Sequence, residues 1–375
     1  MKYIDDFRDK RLITKVAEGI REAAGERRYA FMEVCGTHTM AIFRYGLREL
    51  LPPTIKLISG PGCPVCVTPN EYLDKAIALA KMDGVIIATF GDMMRVPGSR
   101  SSLEEEKANG ASIKAVYSTD DALAMARKNK DKQVVFLGVG FETTSPTVAA
   151  SIIEAKREGL KNYSVLCGHK TMPEVMASLL KDGDVRVDGF LLPGHVSAII
   201  GTKPYEFLAK KYGKGGVVAG FEPLDIMQAL FMLIKQSTPK IEVQYKRVME
   251  AQGNKTARKV MDKVFEKTAA EWRGVGKVKD SGLAIRKEFR AFDAEAKFKP
   301  KVKLSIEPKG CRCGAVLKGI KVPTECRLFG KSCTPEHPVG ACMVSIEGTC
   351  AAYYRYGKSI MANGKAQMAN RIIHE

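Results

Sequence analysis

Two thiols stand three positions apart in Cys63-Pro64-Val65-Cys66, inside a glycine- and proline-rich run from Gly60 to Pro69. This spacing suits a reversible disulfide and equally half of a zinc site. The surrounding glycines and prolines expose backbone in a tight turn, which argues against a pair of inert core thiols. Upstream, Cys35-Gly36-Thr37-His38 offers a nucleophile with a base, or two ligands of one soft-to-borderline metal. Downstream, Cys311, Cys313, Cys326, Cys333, Cys342 and Cys350 crowd into one stretch. That is more thiolate than one tetrahedral site requires, and four of the six can bind zinc or a [4Fe-4S] cluster. Their spacing matches neither compact ferredoxin nor paired zinc-finger patterns, so both metals stay open. A CxxC elsewhere in the chain favours iron–sulfur, which can supply electrons where zinc cannot. Glu142, His169, His195, Glu222 and Asp225 add candidate proton carriers or partners for metal ligands, Glu142 and His195 foremost. Cys167 reads as plain core.

The elements that must position these groups alternate. RYAFMEV, IKLIS, GVIIATF and SIKAVYS, then QVVFLGV, YSVLC, GFLLP and GVVAG, read as strands. Helical stretches such as NEYLDKAIALAKM, DDALAMARKN, PTVAASIIEAKRE and PEVMASLLK lie between them. Such alternation predicts an α/β fold with parallel sheets covered by helices. Ordinary domain sizes predict two similar sheet units, 1–130 and 131–235, and a smaller C-terminal unit, 236–375, holding the cluster. From Tyr245 to Phe265 the apolar spacing predicts a long amphipathic helix, and KRVMEAQGNKTARKVMDKVFEKTAAEWR reads as its solvated face. ACMVS around Cys342 reads as a buried strand. In open α/β sheets ligands bind beyond the carboxyl ends of the strands. Cys35, the Cys63–Cys66 turn, Glu142, His169, His195 and Glu222 all follow strands directly, so a cleft between two sheets is expected to collect them.

Ten cysteines grouped unevenly in 375 residues point to metal or thiol chemistry in a reducing cytoplasm rather than to disulfide staples. The chain has no signal-peptide-like start and no run near the ~18 apolar residues of a membrane helix. A formal charge of +18 invites nucleic acid, but the basic residues are spread among acids and carry no nucleic-acid motif. Solubility, or an acidic protein partner, accounts for the excess.

The motifs CGTHTM at 35–40, GPGCPVCVTP at 60–69, GFETTSP at 140–146, PGHVS at 193–197 and the terminal CRCG…EC…SC…EGTC together resemble the HypD family of [NiFe]-hydrogenase maturation proteins. The resemblance covers nearly the whole chain. It implies a scaffold on which the Fe(CN)2CO group is assembled, with two similar α/β domains and a third that carries a [4Fe-4S] cluster. It implies a HypC-type chaperone that shares the iron and a HypE-type protein that delivers cyanide from a thiocyanate. Carried over by motif, Cys35 is the iron-binding thiolate with His38 beside it, Cys63 and Cys66 are the redox pair, and Glu142 and His195 face the same cleft. A further likeness to ferredoxin:thioredoxin reductase implies electrons passing from the cluster toward the CxxC. Cluster ligands are then expected at Cys326, Cys333 and Cys350, with Cys311 ahead of Cys313 as the fourth and Cys342 left as core.

Two other readings compete. An iron–sulfur thiol–disulfide oxidoreductase acting on a protein disulfide would use the cluster and the CxxC but needs no third N-terminal thiolate at Cys35. A zinc-stabilised binding protein would tolerate replacement of Cys63 and Cys66.

Overall fold

The structure is a computed structural model that describes residues 5–181, 183, 185–302 and 304–357. Residues 358–375, assigned above to the C-terminal unit, lie outside them.

Among the described residues nine short strands form two parallel sheets. In chain order they are β1 (Tyr29–Glu33), β2 (Ile55–Ser59), β3 (Val85–Thr89), β4 (Ile113–Ala115), β5 (Gln133–Gly138), β6 (Tyr163–Cys167), β7 (Gly189–Pro193), β8 (Gly215–Ala219) and β9 (Ile241–Val243). One sheet has the order β2-β1-β7-β8-β9 and the other β4-β3-β5-β6. Every pairing within them is parallel. The α/β class with two parallel sheets is therefore as expected.

The division between the units is not. The chain builds β1 and β2 in the first sheet, crosses to make all four strands of the second, and returns for β7, β8 and β9. A boundary at 130 cuts the second sheet between β4 and β5. Hydrophobic pattern locates strands but carries no pairing information, so consecutive strands were placed together by default.

The strands are apolar on both faces because helices cover both. In β3, β7 and β8 every residue is buried. Phe31, Phe136 and Phe190 are closed from solvent, and each such side chain contributes about 2–3 kcal/mol by burial. Helix ends follow local chemistry: Ser118 and Asp121 form a capping box at the start of helix Thr119–Lys128, satisfying orphan N–H groups.

After β9 the structure departs from the expected long helix. Only Lys255–Val264 is helical. Gly253 takes a positive φ of 66°, and Asn254 caps the helix by accepting the Ala257 N–H at 2.9 Å. The start is thus set by a glycine turn and an Asn cap, which interrupt an otherwise continuous apolar period. Phe265 then opens an antiparallel hairpin, β10 (Phe265–Trp272) with β11 (Gly276–Ile285), which replaces the expected solvated helix face. The segment ACMVS is a 3-10 turn at Ala341–Met343, not a strand, although all three residues are buried. Among the described residues no helix is long and apolar enough to cross a membrane.

Candidate functional site

The carboxyl ends of both sheets open into one cleft of ≈540 Å³. Cys35 arrives after β1, Gly62 to Val65 after β2, Phe90 to Asp92 after β3, Phe141 after β5 and His195 after β7. Glu347 enters from the C-terminal segment. The turns after β1 and β2 interlock: Gly36 donates its N–H to Gly62 O at 3.0 Å. A Cβ on Gly62 would lie 2.2 Å from Cys35 N and 2.5 Å from Val34 C. Only glycine lets the CPVC turn approach the Cys35 turn this closely.

Cys35 is half-buried and begins helix Gly36–Arg44 as its N-cap. Burial, then the charge of Glu347, push its thiol up to about 12, although the Thr37 and His38 backbone N–H groups pull the other way. Without a cation beside it, this sulfur keeps its proton at neutral pH.

His38 does not line the cleft. It is fully buried, its Nε2 bonds Gly220 O at 2.9 Å, and its ring stacks on Phe221 at 5.0 Å. Burial lowers its pKa to about 4, so the imidazole is neutral. The carbonyl partner places the proton on Nε2, leaving an unpartnered Nδ1. His195 does line the cleft, with its ring 4.0 Å from Phe221 and its pKa lowered by burial.

Glu142 was expected in the same cleft and is not there. Phe141, Thr143 and Thr144 line it, whereas Glu142 faces a separate cavity of ≈360 Å³. Adjacent residues of this loop point to opposite sides, which motif spacing cannot reveal. Glu222 and Asp225 are occupied elsewhere: Glu222 pairs with Arg8 at 2.6 Å, and Asp225 holds Arg247 at 2.7 and 2.6 Å. His169 is buried 3.6 Å from Cys167, whose thiol also reaches Leu283 O at 3.1 Å.

Two cleft residues went unnoticed in the sequence. Asp92 follows β3, so the strand-end rule that found the others applied equally to it. Glu347, inside the EGTC motif, accepts the Thr37 hydroxyl at 2.6 Å, and burial raises its pKa. Nothing local marks it, because a distant segment folds back to deliver it.

Cys63 and Cys66 sit behind the cleft wall, 4% and 0% exposed. The Cys63 sulfur accepts the Cys66 N–H at 3.3 Å across the one-turn helix Pro64–Val67. Burial raises the Cys66 thiol, and the sulfurs of Cys342 and Cys63 are next among its neighbours. Beyond them Cys342 Sγ lies 2.9 Å from Cys313 Sγ. All six C-terminal cysteines line one small chamber. Cys311 accepts the Cys313 N–H at 3.4 Å, and Cys333 accepts the Val339 N–H at 3.4 Å. Such N–H···S bonds favour thiolate. A Cβ on Gly340 would lie 2.7 Å from Cys311 Sγ, so glycine makes room for that sulfur.

The donor set fits a metal cluster: buried thiols, several raised by one another and by burial, are offset best by bound cations. Among the described residues no three such side chains converge on a single ion position. The chamber's volume is ≈10 Å³, so any cluster held there would require the thiols to turn outward.

A family model described as "HypD: Hydrogenase formation hypA family" matches residues 11–357. The chain belongs to the HypD family. Its relatives include a hydrogenase maturation factor HypD of Cupriavidus necator, 48% identical over 96% of this chain and 98% of that protein. One of the same name from Rhodobacter capsulatus is 49% identical over 95% and 98%. A putative hydrogenase expression/formation protein of Methanocaldococcus jannaschii is 45% identical over 94% and 99%.

Proposed function

We propose that this chain is a hydrogenase maturation factor that holds iron at Cys35 and takes part in giving it cyanide ligands, supported by thiol and cluster redox. The observation that carries this reading is a succession of thiols. Cys35 stands in the cleft, Cys63 and Cys66 behind its wall, Cys342 and Cys313 next, and Cys311, Cys326, Cys333 and Cys350 around the chamber.

The cargo iron is the substrate. A low-spin iron with cyanide and CO suits a soft thiolate, and its charge would offset the burial that keeps Cys35 protonated. Release of cyanide from a thiocyanate donor breaks one S–C bond: RS–CN + 2e⁻ + H⁺ → RSH + CN⁻. Oxidation of Cys63 and Cys66 to a disulfide supplies the two electrons. Attack by Cys342 on that disulfide, followed by closure of Cys313 onto Cys342, would return Cys63 and Cys66 to thiols. A [4Fe-4S] cluster, when bound, supplies electrons one at a time. Cys311, Cys326, Cys333 and Cys350 would hold it, since Cys313 and Cys342 face each other and Cys311 has the thiolate-stabilising N–H. The partners that fit are a HypC-type chaperone sharing the iron and a HypE-type thiocyanate carrier, in a reducing cytoplasm.

The oxidoreductase reading requires a protein disulfide to reach Cys63, and its burial opposes that. Anaerobic purification followed by metal analysis, visible and infrared spectra tests the proposal. A brown protein with about four irons in a cluster, plus cyanide and CO bands lost in Cys35→Ala, is expected. A colourless zinc protein, with oxygen damage excluded, overturns it.

A further inference from the structure

The cavity that Glu142 faces has no part in the reaction above, yet its ≈360 Å³ is the size of a small-molecule site. Helix Lys255–Val264 and the hairpin strands β10 and β11 supply one side of it, and Glu142, Thr171, Pro173 and Glu174 the other. Two buried polar atoms in its walls are left unsatisfied by the chain. Glu142 is 2% exposed; its Oε1 accepts the Met172 N–H at 3.0 Å, but Oε2 has no partner. Arg258, from the helix, has its Nε closed from solvent and equally without a partner. Such atoms cost free energy unless each is satisfied or used.

The remaining charges at the cavity are matched or solvated. Glu174 accepts the Thr171 hydroxyl at 2.7 Å and pairs with Lys267, and Glu266 pairs with Arg286 at 3.5 Å. Asp262 is exposed, where water and salt screen it. The guanidinium of Arg258 is therefore the unmatched charge, and a planar oxyanion is its natural partner.

We propose that this cavity binds a small monocarboxylate, whose oxygens take the Arg258 N–H and the Glu142 carboxyl O–H while a short hydrocarbon body lies against Ile200, Met261, Phe265 and Leu283. Burial, with the charge of Glu174, pushes the Glu142 carboxyl up to about 8, against the Met172 N–H and Lys267. At neutral pH it is thus a donor and not a second negative charge. A phosphate would bring further charge that no other free cation meets. Phe141, Thr143 and Thr144 of the same loop line the cleft, so the bound carboxylate holds the cleft wall from behind. The site stands apart from the maturation reading, and either can fail without the other.

The test is isothermal titration of the full-length protein at pH 7 with butyrate, butyramide, butylamine and inorganic phosphate. Butyrate should bind once per chain with a Kd of about 1 mM or tighter, and the other three at least about 10-fold more weakly. Arg258→Gln and Glu142→Ala should each weaken butyrate about 10- to 100-fold, the range for a hydrogen bond to a charged group. Glu142→Gln keeps a donor in its amide and should bind within a few-fold of wild type. Arg258 is only half-buried, so Arg258→Gln decides the case where Glu142→Ala fails to fold. No binding of butyrate at about 10 mM overturns the proposal. Binding unchanged in Arg258→Gln, or butylamine binding more tightly than butyrate, overturns it as well.

Discussion

Thr37 donates its hydroxyl hydrogen to Glu347 Oε1 at 2.6 Å, and this bond ties the Cys35 turn to the segment that carries Cys350. The same carboxylate is, after burial, the next influence holding the Cys35 thiol at about 12.

Glu347→Gln keeps the hydrogen bond and removes the charge, so the Cys35 pKa should fall. In metal-free protein, iodoacetamide labelling of Cys35 should accelerate several-fold at pH 8 to 9. A rate unchanged from wild type would show that burial alone sets the reactivity of this thiol.

The six C-terminal cysteines should divide into two behaviours. Replacing Cys311, Cys326, Cys333 or Cys350 by serine should lower cluster iron well below about four per chain. Cys313→Ser and Cys342→Ser should keep the iron and lose reduction of the Cys63–Cys66 pair, read by thiol trapping after dithionite. Iron loss in Cys313→Ser with retention in Cys311→Ser would exchange their roles.

How far the sequence could reach follows from what each signal depends on. Eight of the nine parallel strands, β1 to β8, were visible because each is a short apolar run; β9 (Ile241–Val243), only three residues long and half-buried, was missed. The pairing of β1 with β7 was hidden, since it joins segments more than a hundred residues apart with nothing local to mark it. Cys35 and His195 were found by their place after strands, and Asp92 was open to the same rule. Glu142 shares a motif with cleft residues yet points elsewhere, because side-chain direction in a loop has no period to read, and His38, in the first turn of helix Gly36–Arg44, is turned by that helix into the core. The hairpin from Phe265 was lost to helical spacing that ends at Val264.

Glu33 should leave its mark on stability. It is fully buried, with Oε1 accepting from Ser59 at 2.6 Å and Oε2 unpartnered. Burial raises its pKa from 4.5 to about 7, against the pull of Arg48. Between those values the folded chain keeps a proton that the unfolded chain has lost. Stability from this group is therefore full below pH 4.5, declines as pH rises toward 7, and stays lower above. Glu33→Gln removes that slope, a difference on the order of 3 kcal/mol across the window. Urea unfolding of both proteins at pH 5 and pH 7.5 measures it. Parallel pH profiles would mean that Glu33 ionises normally in the fold.

Gly62→Ala should be among the most damaging single-methyl changes in the protein. The added Cβ would meet backbone, at 2.2 Å from Cys35 N and 2.4 Å from Cys35 Cα, and no side-chain rotation relieves it. The CPVC turn must retreat, which stretches the Gly36 N–H to Gly62 O bond and separates Cys35 from Cys63 and Cys66. The cost should be about 1–3 kcal/mol, as for other overpacked sites. Because the chamber cysteines lie on a different segment, cluster iron should remain near the wild-type value. Retained iron with lost hydrogenase maturation in a complementation assay is the expected pair of results. Wild-type maturation by Gly62→Ala would mean that close contact of the two turns is not needed to bring the cleft thiol and the dithiol into one reaction.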